Sequence, residues 1–233
     1  MMKKIETYFH PEHLLDLRKS DLTDEAIHEA VIKSLRLQDI DREIGFQTYA
    51  TSAYKIPYPE TDYTRNKMFY AETDKINPKT SEERPKYLAR KNSGNRLYIP
   101  HKVRQMIRDL SIPLYITEGE KKALKATQEG FSCVAIAGLW NWPDGSKELI
   151  EDFNLIPLDG RTVYIIPDGN WLEPNTKGER KNLKQAIYEL SYRLIDMGAK
   201  VCWVELPKNN MAVLIPKPML IPLKTIENDR YRK

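Results

Sequence analysis

The chain has 233 residues, of which 41% are hydrophobic and 30% are charged, and its net charge is +4. It is long enough to bury a core, and no apolar stretch approaches the ~18 residues of a membrane helix, nor is a signal peptide indicated. We therefore expect a soluble, cytoplasmic protein without a membrane partner. The two cysteines, Cys133 and Cys202, lie in apolar runs without metal-ligand spacing, which predicts buried, reduced thiols.

Residues 1–44 are predicted to form a small helical lead-in. A first helix is expected from Pro11, and Thr23 is a candidate N-cap because Asp24 and Glu25 would occupy the first turn of a second helix. The segment carries no signature of a DNA-recognition helix. Packing against the next segment is the simpler interpretation of its apolar residues.

Residues 45–110 are predicted to form a small, β-rich and basic subdomain, because short runs of tyrosine, proline and asparagine favour edge strands and turns. From Arg84 through Arg108 the chain has eight Lys or Arg and no Asp or Glu, a composition that attracts a polyanion. The tyrosines could stack on bases, or they could simply build a small core. The nucleic-acid-binding candidates in this run are Arg90, Lys91 and Arg96.

Strands and helices alternate over residues 111–207. Four apolar runs predict buried strands, and the stretches before and between them predict helices. The predicted strands are 113–118, 132–137, 162–167 and 200–206, and the predicted helices are 103–110, 121–129, 146–152 and 180–197. This alternation implies a parallel sheet covered by helices. Residues 208–233 form an apolar, proline-broken tail that is expected to dock on its own sheet or to meet a partner.

Two acidic residues follow two of the predicted strands. Glu118 ends the strand 113–118 and precedes Gly119, and Asp168 directly follows the strand 162–167. Open α/β sheets bind their ligands at the carboxyl ends of their strands, which is where both acids are expected. Two carboxylates at that edge suit a hard divalent cation and the handling of phosphate groups.

The order of these motifs resembles the TOPRIM domain shared by DnaG-type primases, topoisomerases and some nucleases, and in particular the TOPRIM-like domains of plasmid and phage replication proteins. The resemblance covers most of residues 10–207. Its motifs are Thr117–Ala123 (TEGEKKA), Gly138–Trp142 (GLWNW), Ile166–Asn170 (IPDGN) and Met197–Val201 (MGAKV) leading into Glu205–Pro207. It implies a TOPRIM/Rossmann-like, mostly parallel sheet flanked by helices, with the helical and β-rich segments as an N-terminal extension.

The resemblance also assigns roles to residues. Glu118 matches the acid of the family's Glu-Gly motif, which implies the role of metal ligand or general base. Asp168 matches the first acid of the family's Asp-x-Asp motif, which implies that it is the main metal ligand. Asn170 stands at the second acid, where a neutral amide oxygen is expected to weaken a site for Mg²⁺ or Mn²⁺. Glu120, Asp144 or Glu173 could supply the missing charge.

Basic residues near both acids are candidates for phosphate contact. Lys121 and Lys122 lie at the start of the helix after Glu118, where free backbone amides favour phosphate binding. We expect Lys121 to be a catalytic residue together with Glu118 and Asp168. Arg180 and Lys181 follow Asp168 and, with Lys122, are further nucleic-acid-binding candidates. The alternative for each lysine is a solvated side chain in the first helical turn.

The resemblance implies a primase-like nucleotidyltransferase of DNA replication that uses Mg²⁺ or Mn²⁺, nucleoside triphosphates and a single-stranded DNA template. A replicative helicase is the expected protein partner. Two alternatives stay open. One is a catalytically weakened nucleic-acid-binding module that serves a helicase, and the other is a metal-dependent nuclease, because the same acids serve hydrolysis.

Overall fold

The computed structural model describes residues 5–169 and 183–204. The chain divides into two compact units between Gly94 and Asn95. The sequence predicted a boundary after residue 110 instead. Residues 95–110 belong to the second unit because Leu97, Ile99 and Val103 lie in its hydrophobic core.

The first unit combines small helices with an antiparallel sheet. The helices are α1 (Pro11–Arg18), α2 (Asp24–Glu29) and α3 (Leu37–Ile44), with short 3₁₀ helices at Ile5–Thr7 and Glu72–Asp74. The strands pair in chain order and are β1 (Lys33–Ser34), β2 (Ser52–Pro57), β3 (Thr64–Phe69) and β4 (Tyr87–Ala89). The predicted helical lead-in and β-rich segment are therefore both present, but they form one unit.

Helix α3 covers one face of this sheet. On this face its Ile40 and Ile44 pack with Ala53 and Met68. Thr23 caps α2 as predicted, since its hydroxyl accepts a hydrogen bond from the Ala26 amide at 3.2 Å. Three tyrosines of the first unit are buried, which favours the interpretation of these rings as core residues. They are Tyr54, Tyr58 and Tyr63.

The second unit has the predicted α/β architecture. Its sheet is parallel in the order β6-β5-β7-β8. The strands are β5 (Leu114–Glu118), β6 (Cys133–Ile136), β7 (Thr162–Ile166) and β8 (Lys200–Trp203), and the helices are α4 (His101–Met106), α5 (Glu120–Gln128) and α6 (Leu183–Asp196). A 3₁₀ helix at Glu151–Leu155 replaces the helix predicted at 146–152.

The core of this unit lies between the sheet and its helices. Leu114 and Ile116 of β5 and Val163 and Ile165 of β7 are all but inaccessible to solvent. One apolar stripe runs along α6, since four of its residues belong to or pack against the core: Leu183, Ile187, Leu190 and Leu194. No helix of the described ranges is long and apolar enough to cross a bilayer.

Both cysteines are free thiols. Cys133 is buried, as predicted, and burial raises the pKa of its thiol to about 12. Cys202 is only partly buried, because it lies on β8 at the edge of the sheet. Cys133 begins β6 and therefore lies at the opposite end of the sheet from the carboxyl ends described next.

Candidate active site

The two predicted acids meet where β5 and β7 end. These strands are neighbours, and Thr117 of β5 lies opposite Ile166 of β7. Glu118 is the last residue of β5, and Asp168 lies two residues beyond the end of β7. Because the strands are parallel, their carboxyl ends share one edge of the sheet, and both acids lie at that edge.

Backbone amides from two neighbouring segments hold the Glu118 carboxylate. Its Oε1 accepts a hydrogen bond from the Asp168 amide, and its Oε2 accepts one from the Leu139 amide, each at 3.2 Å. Leu139 follows β6 and Asp168 follows β7, so the side chain of Glu118 links the ends of three adjacent strands. These two amides thereby fix the carboxylate in position.

The surroundings of Glu118 disfavour its negative charge. Burial and, next, the nearby charge of Asp168 raise the pKa of the Glu118 carboxyl, while the two amide hydrogen bonds and Lys122 partly offset this. Perturbed acids of this kind cluster at functional sites. A cation bound between Glu118 and Asp168 would remove the repulsion between them.

Lys122 contacts Asp168 directly. Its Nζ forms an ion pair with Asp168 Oδ1, which links the first turn of α5 to the segment that follows β7. The lysine side chain is 52% exposed and that of the aspartate 40% exposed, so the pair is open to solvent. Lys122 was predicted to bind nucleic acid, and in this structure the partner of its ammonium is a carboxylate of the candidate site.

The backbone conformation of Gly119 explains why a glycine follows Glu118. Its φ of +86° and ψ of 141° lie in a region that residues with a Cβ seldom adopt. An added Cβ would meet no atom within 4 Å, so the backbone angles alone require glycine. The turn at Gly119 starts α5 directly after β5 and places the half-buried Lys121 in the helix's first turn.

The two tryptophans of the motif that follows β6 differ in burial. Trp142 is buried in the second unit's core, whereas Trp140 is 42% exposed. The amide of Asn141 donates to the Gly138 carbonyl at 2.8 Å, which closes a turn around Leu139 and Trp140. Trp140 is therefore the residue next to the amide that holds Glu118.

The donor set fits a weakly held, largely hydrated ion. Within residues 5–169 and 183–204, no three His, Cys, Asp or Glu side chains are grouped to hold a metal. Two carboxylates suffice for Mg²⁺, which keeps several waters and takes oxygen ligands. Glu120 is buried, and Asp144 accepts hydrogen bonds from the Ser146 amide and hydroxyl within its own turn.

The predicted basic residues have different surroundings. Arg90 and Lys91 are exposed and follow β4 in the first unit. Arg96 donates from its guanidinium to both carboxylate oxygens of buried Asp152, at 2.7 and 2.6 Å, and Asp152 also accepts from the Leu97 amide. Arg96 therefore has a structural role that the basic run did not indicate, since its partner lies 56 residues away.

Other predicted site residues fall outside the described ranges. They are Asn170, Glu173, Arg180 and Lys181, together with residues 205–207 of the last motif and the tail 208–233. Their roles stay predictions.

Residues 104–212 match a family model described as a domain of unknown function, DUF3854, and no curated protein matches the chain. The Aquifex aeolicus primase (zinc-binding and RNA polymerase domains) is a structural neighbour with a TM-score of 0.58 and 14% identity, over 87% of this chain and 51% of that one.

Two further neighbours are the DnaG catalytic core and the DnaG primase catalytic domain bound to single-stranded DNA. Their TM-scores are 0.51 and 0.52, each at 14% identity over 87% of this chain, and the alignments cover 66% and 68% of those chains. The chain thus spans between about half and two thirds of these primase structures. It has the mixed α/β fold of the DnaG-type primase catalytic core.

Proposed function

We propose that the chain is a primase-like nucleotidyltransferase of plasmid or phage replication, which joins nucleoside triphosphates on a single-stranded DNA template with Mg²⁺ or Mn²⁺. One observation carries this proposal. Glu118 and Asp168 lie at adjacent strand ends of a primase-like fold, and the carboxylate of Glu118 accepts the backbone amide of Asp168. A replicative helicase is the proposed protein partner.

Each residue of the site has a defined task in this proposal. A bound Mg²⁺ would neutralise charge at phosphorus and lower the pKa of the attacking hydroxyl. Asp168 would hold the ion, and Glu118 would act either as its second ligand or as the general base that accepts the hydroxyl proton. Lys121 would hold phosphate at the start of α5, and the exposed ring of Trp140 would stack on a base.

The first unit supplies the candidates for template contact. Arg90 and Lys91 are exposed, and cations of this kind bind the phosphates of single strands. One of the primase structures that resemble this chain is bound to single-stranded DNA. The same ligand is therefore proposed for this chain.

A second candidate function is a nucleic-acid-binding module without catalysis. Two observations favour it: Lys122 already pairs with Asp168, and Asn170 lacks the charge of a second acid. Both would lower the attraction of the site for a divalent ion. A nuclease would use the same two acids and is separated from the other functions by the products formed.

The test incubates the purified chain and Mg²⁺ or Mn²⁺ with single-stranded DNA and labelled ribonucleotides or deoxynucleotides, and in a parallel reaction with end-labelled single-stranded DNA. New labelled strands that depend on the template support the primase-like function. Shortening of the labelled DNA without synthesis identifies a nuclease. If the chain binds the DNA but neither synthesis nor cleavage occurs under any of these conditions, the enzymatic proposal is overturned in favour of the binding module.

A further inference from the structure

We propose that Lys122 and a divalent cation compete for Asp168, so that the lysine occupies the acid until a metal ion displaces it. This inference rests on the proposed function, because the competing ion is the one that nucleotidyl transfer needs. It adds a second task for Lys122 to the nucleic-acid contact that its sequence position predicts.

The contacts around Asp168 place its carboxylate between two groups. Its backbone amide donates to Glu118 Oε1 at 3.2 Å, which holds the residue beside the other acid. Its side-chain Oδ1 pairs with the ammonium of Lys122. The ammonium therefore contacts one of the two carboxylate oxygens that Asp168 offers to a metal ion shared with Glu118.

The charges of the two competitors and the solvent exposure of the ion pair both allow this exchange. A lysine brings one positive charge to a pair of acids, whereas Mg²⁺ or Mn²⁺ brings two and can contact both carboxylates. Because more than a third of each side chain is exposed, water screens the ion pair and its contribution is small. A metal ion can thus displace Lys122, but its affinity is reduced by the strength of the pair.

Displacement also changes what the lysine can do. Once Asp168 binds the ion, the Lys122 ammonium is released at the start of α5, where phosphate oxygens are the matching partners. The same side chain would then shield the acid in the absence of metal and contact phosphate in its presence.

The test is calorimetric titration of the full chain with Mn²⁺ at constant pH and ionic strength. Lys122→Met and Lys122→Gln should each bind Mn²⁺ about fivefold more tightly than the wild type, the upper range for an exposed pair. The matched control is Lys125→Met, which removes a lysine of the same helix that pairs with Glu129 at 2.7 Å. Its affinity for Mn²⁺ should stay within about twofold of the wild type, because its partner is not a site residue.

The outcomes separate this inference from the proposed function. If the wild type binds Mn²⁺ and both Lys122 variants bind equally or more weakly, the lysine only supports the site and the inference is overturned, while the proposed function stands. If only the Lys122 variants bind, the competition is upheld and the wild type's catalytic role fails. Binding by none of them contradicts both, and an equal gain in Lys125→Met shows a general charge effect and overturns the inference.

Discussion

His13 is a buried histidine that should make the first unit sensitive to acid. Its Nδ1 lies 2.8 Å from Ser34 Oγ, and its ring packs against Tyr54 and Phe69. Burial and, next, the charge of His10 lower the pKa of His13 to about 4 from its usual 6.5, against the opposing effect of Asp16. The unfolded chain therefore binds a proton more readily than the folded one.

The sign of the pH dependence follows from this difference. The stabilising contribution is complete above pH 6.5 and is lost as the pH falls through 6.5 toward 4, by up to about 3 kcal/mol. Hydrogen exchange of α1 and β2 amides, measured between pH 7 and 4, should show this loss. His13→Phe should flatten the profile, whereas the exposed His28→Gln should not; equal profiles for wild type and His13→Phe would contradict the assignment.

Arg96 should contribute to stability, in contrast to the exposed arginine six residues before it. Arg96→Ala would leave the buried Asp152 carboxylate with only the Leu97 amide among its observed donors. We expect the free energy of unfolding to fall by about 1–3 kcal/mol, the range for a buried group that loses its partner. Urea unfolding of this variant and of Arg90→Ala measures the difference, and equal stabilities would show that the ion pair contributes nothing.

At the scale of the elements, the turn from α6 to β8 should tolerate no side chain at Gly198. Its φ is +87°, and an added Cβ would lie 3.0 Å from the backbone Cα of Asp159 and 2.5 Å from its carboxylate. Gly130, which follows α5 with φ +91°, has no atom within 4 Å of the same position. The two glycines therefore share the backbone strain and differ in the space around them.

Gly130→Ala should cost about 1–2 kcal/mol, the strain of the left-handed conformation. Gly198→Ala should cost more than this, because Asp159 must also move. Thermal unfolding of both variants gives the comparison. If Gly198→Ala were no more destabilising than Gly130→Ala, the close approach to Asp159 would have no energetic consequence.

The strands could be predicted from sequence because their signals are local. The apolar runs that end at Glu118 and before Asp168 are buried strands within about one residue of the predicted bounds. The helix predicted at 146–152 was wrong because residues 143–149 form a turn, in which Pro143 bridges to Leu149 and Asp144 binds the Ser146 amide. A short polar turn of this kind satisfies its backbone without helical periodicity.

The contacts of the site could not be predicted in this way. Lys122 and Asp168 are 46 residues apart, and the Leu139 amide is 21 residues from Glu118. Such contacts arise only when β5, β6 and β7 assemble side by side. The basic run had the same limitation, because charge composition alone does not distinguish Arg96, which pairs with Asp152, from the exposed Arg90.

At the scale of the whole molecule, binding of single-stranded DNA should fall steeply with salt. Each phosphate contact contributes roughly −0.7 to the slope of log affinity against log salt. Reversing the charges of Arg90 and Lys91 should flatten this slope by about 1.4 if each contacts one phosphate. The control reverses Lys19 and Lys79, which are exposed in the same unit and change the net charge equally.

Fluorescence anisotropy of labelled DNA across a salt series measures these slopes. We predict a flatter slope for the Arg90 and Lys91 double variant and an unchanged slope for the control. Equal slopes in both double variants would mean that the basic run is a solvated surface with no specific place in template binding.

In the proposed function, Glu118 and Asp168 form a nucleotidyl-transfer site. The rate of nucleotide incorporation by the Glu118→Gln variant tests this assignment most directly. The amide removes the negative charge and also one of the two oxygens that accept the Asp168 and Leu139 amides. Glu129→Gln is the matched control, since Glu129 lies at the far end of α5 and pairs with Lys125.

On a single-stranded template with Mg²⁺ or Mn²⁺, we predict that Glu118→Gln lowers incorporation by about 100-fold or more. DNA affinity should stay within about twofold, because the phosphates are bound by lysines and arginines elsewhere. Glu129→Gln should retain wild-type activity. Incorporation by Glu118→Gln at the wild-type rate would contradict the account and remove this carboxylate from the chemistry.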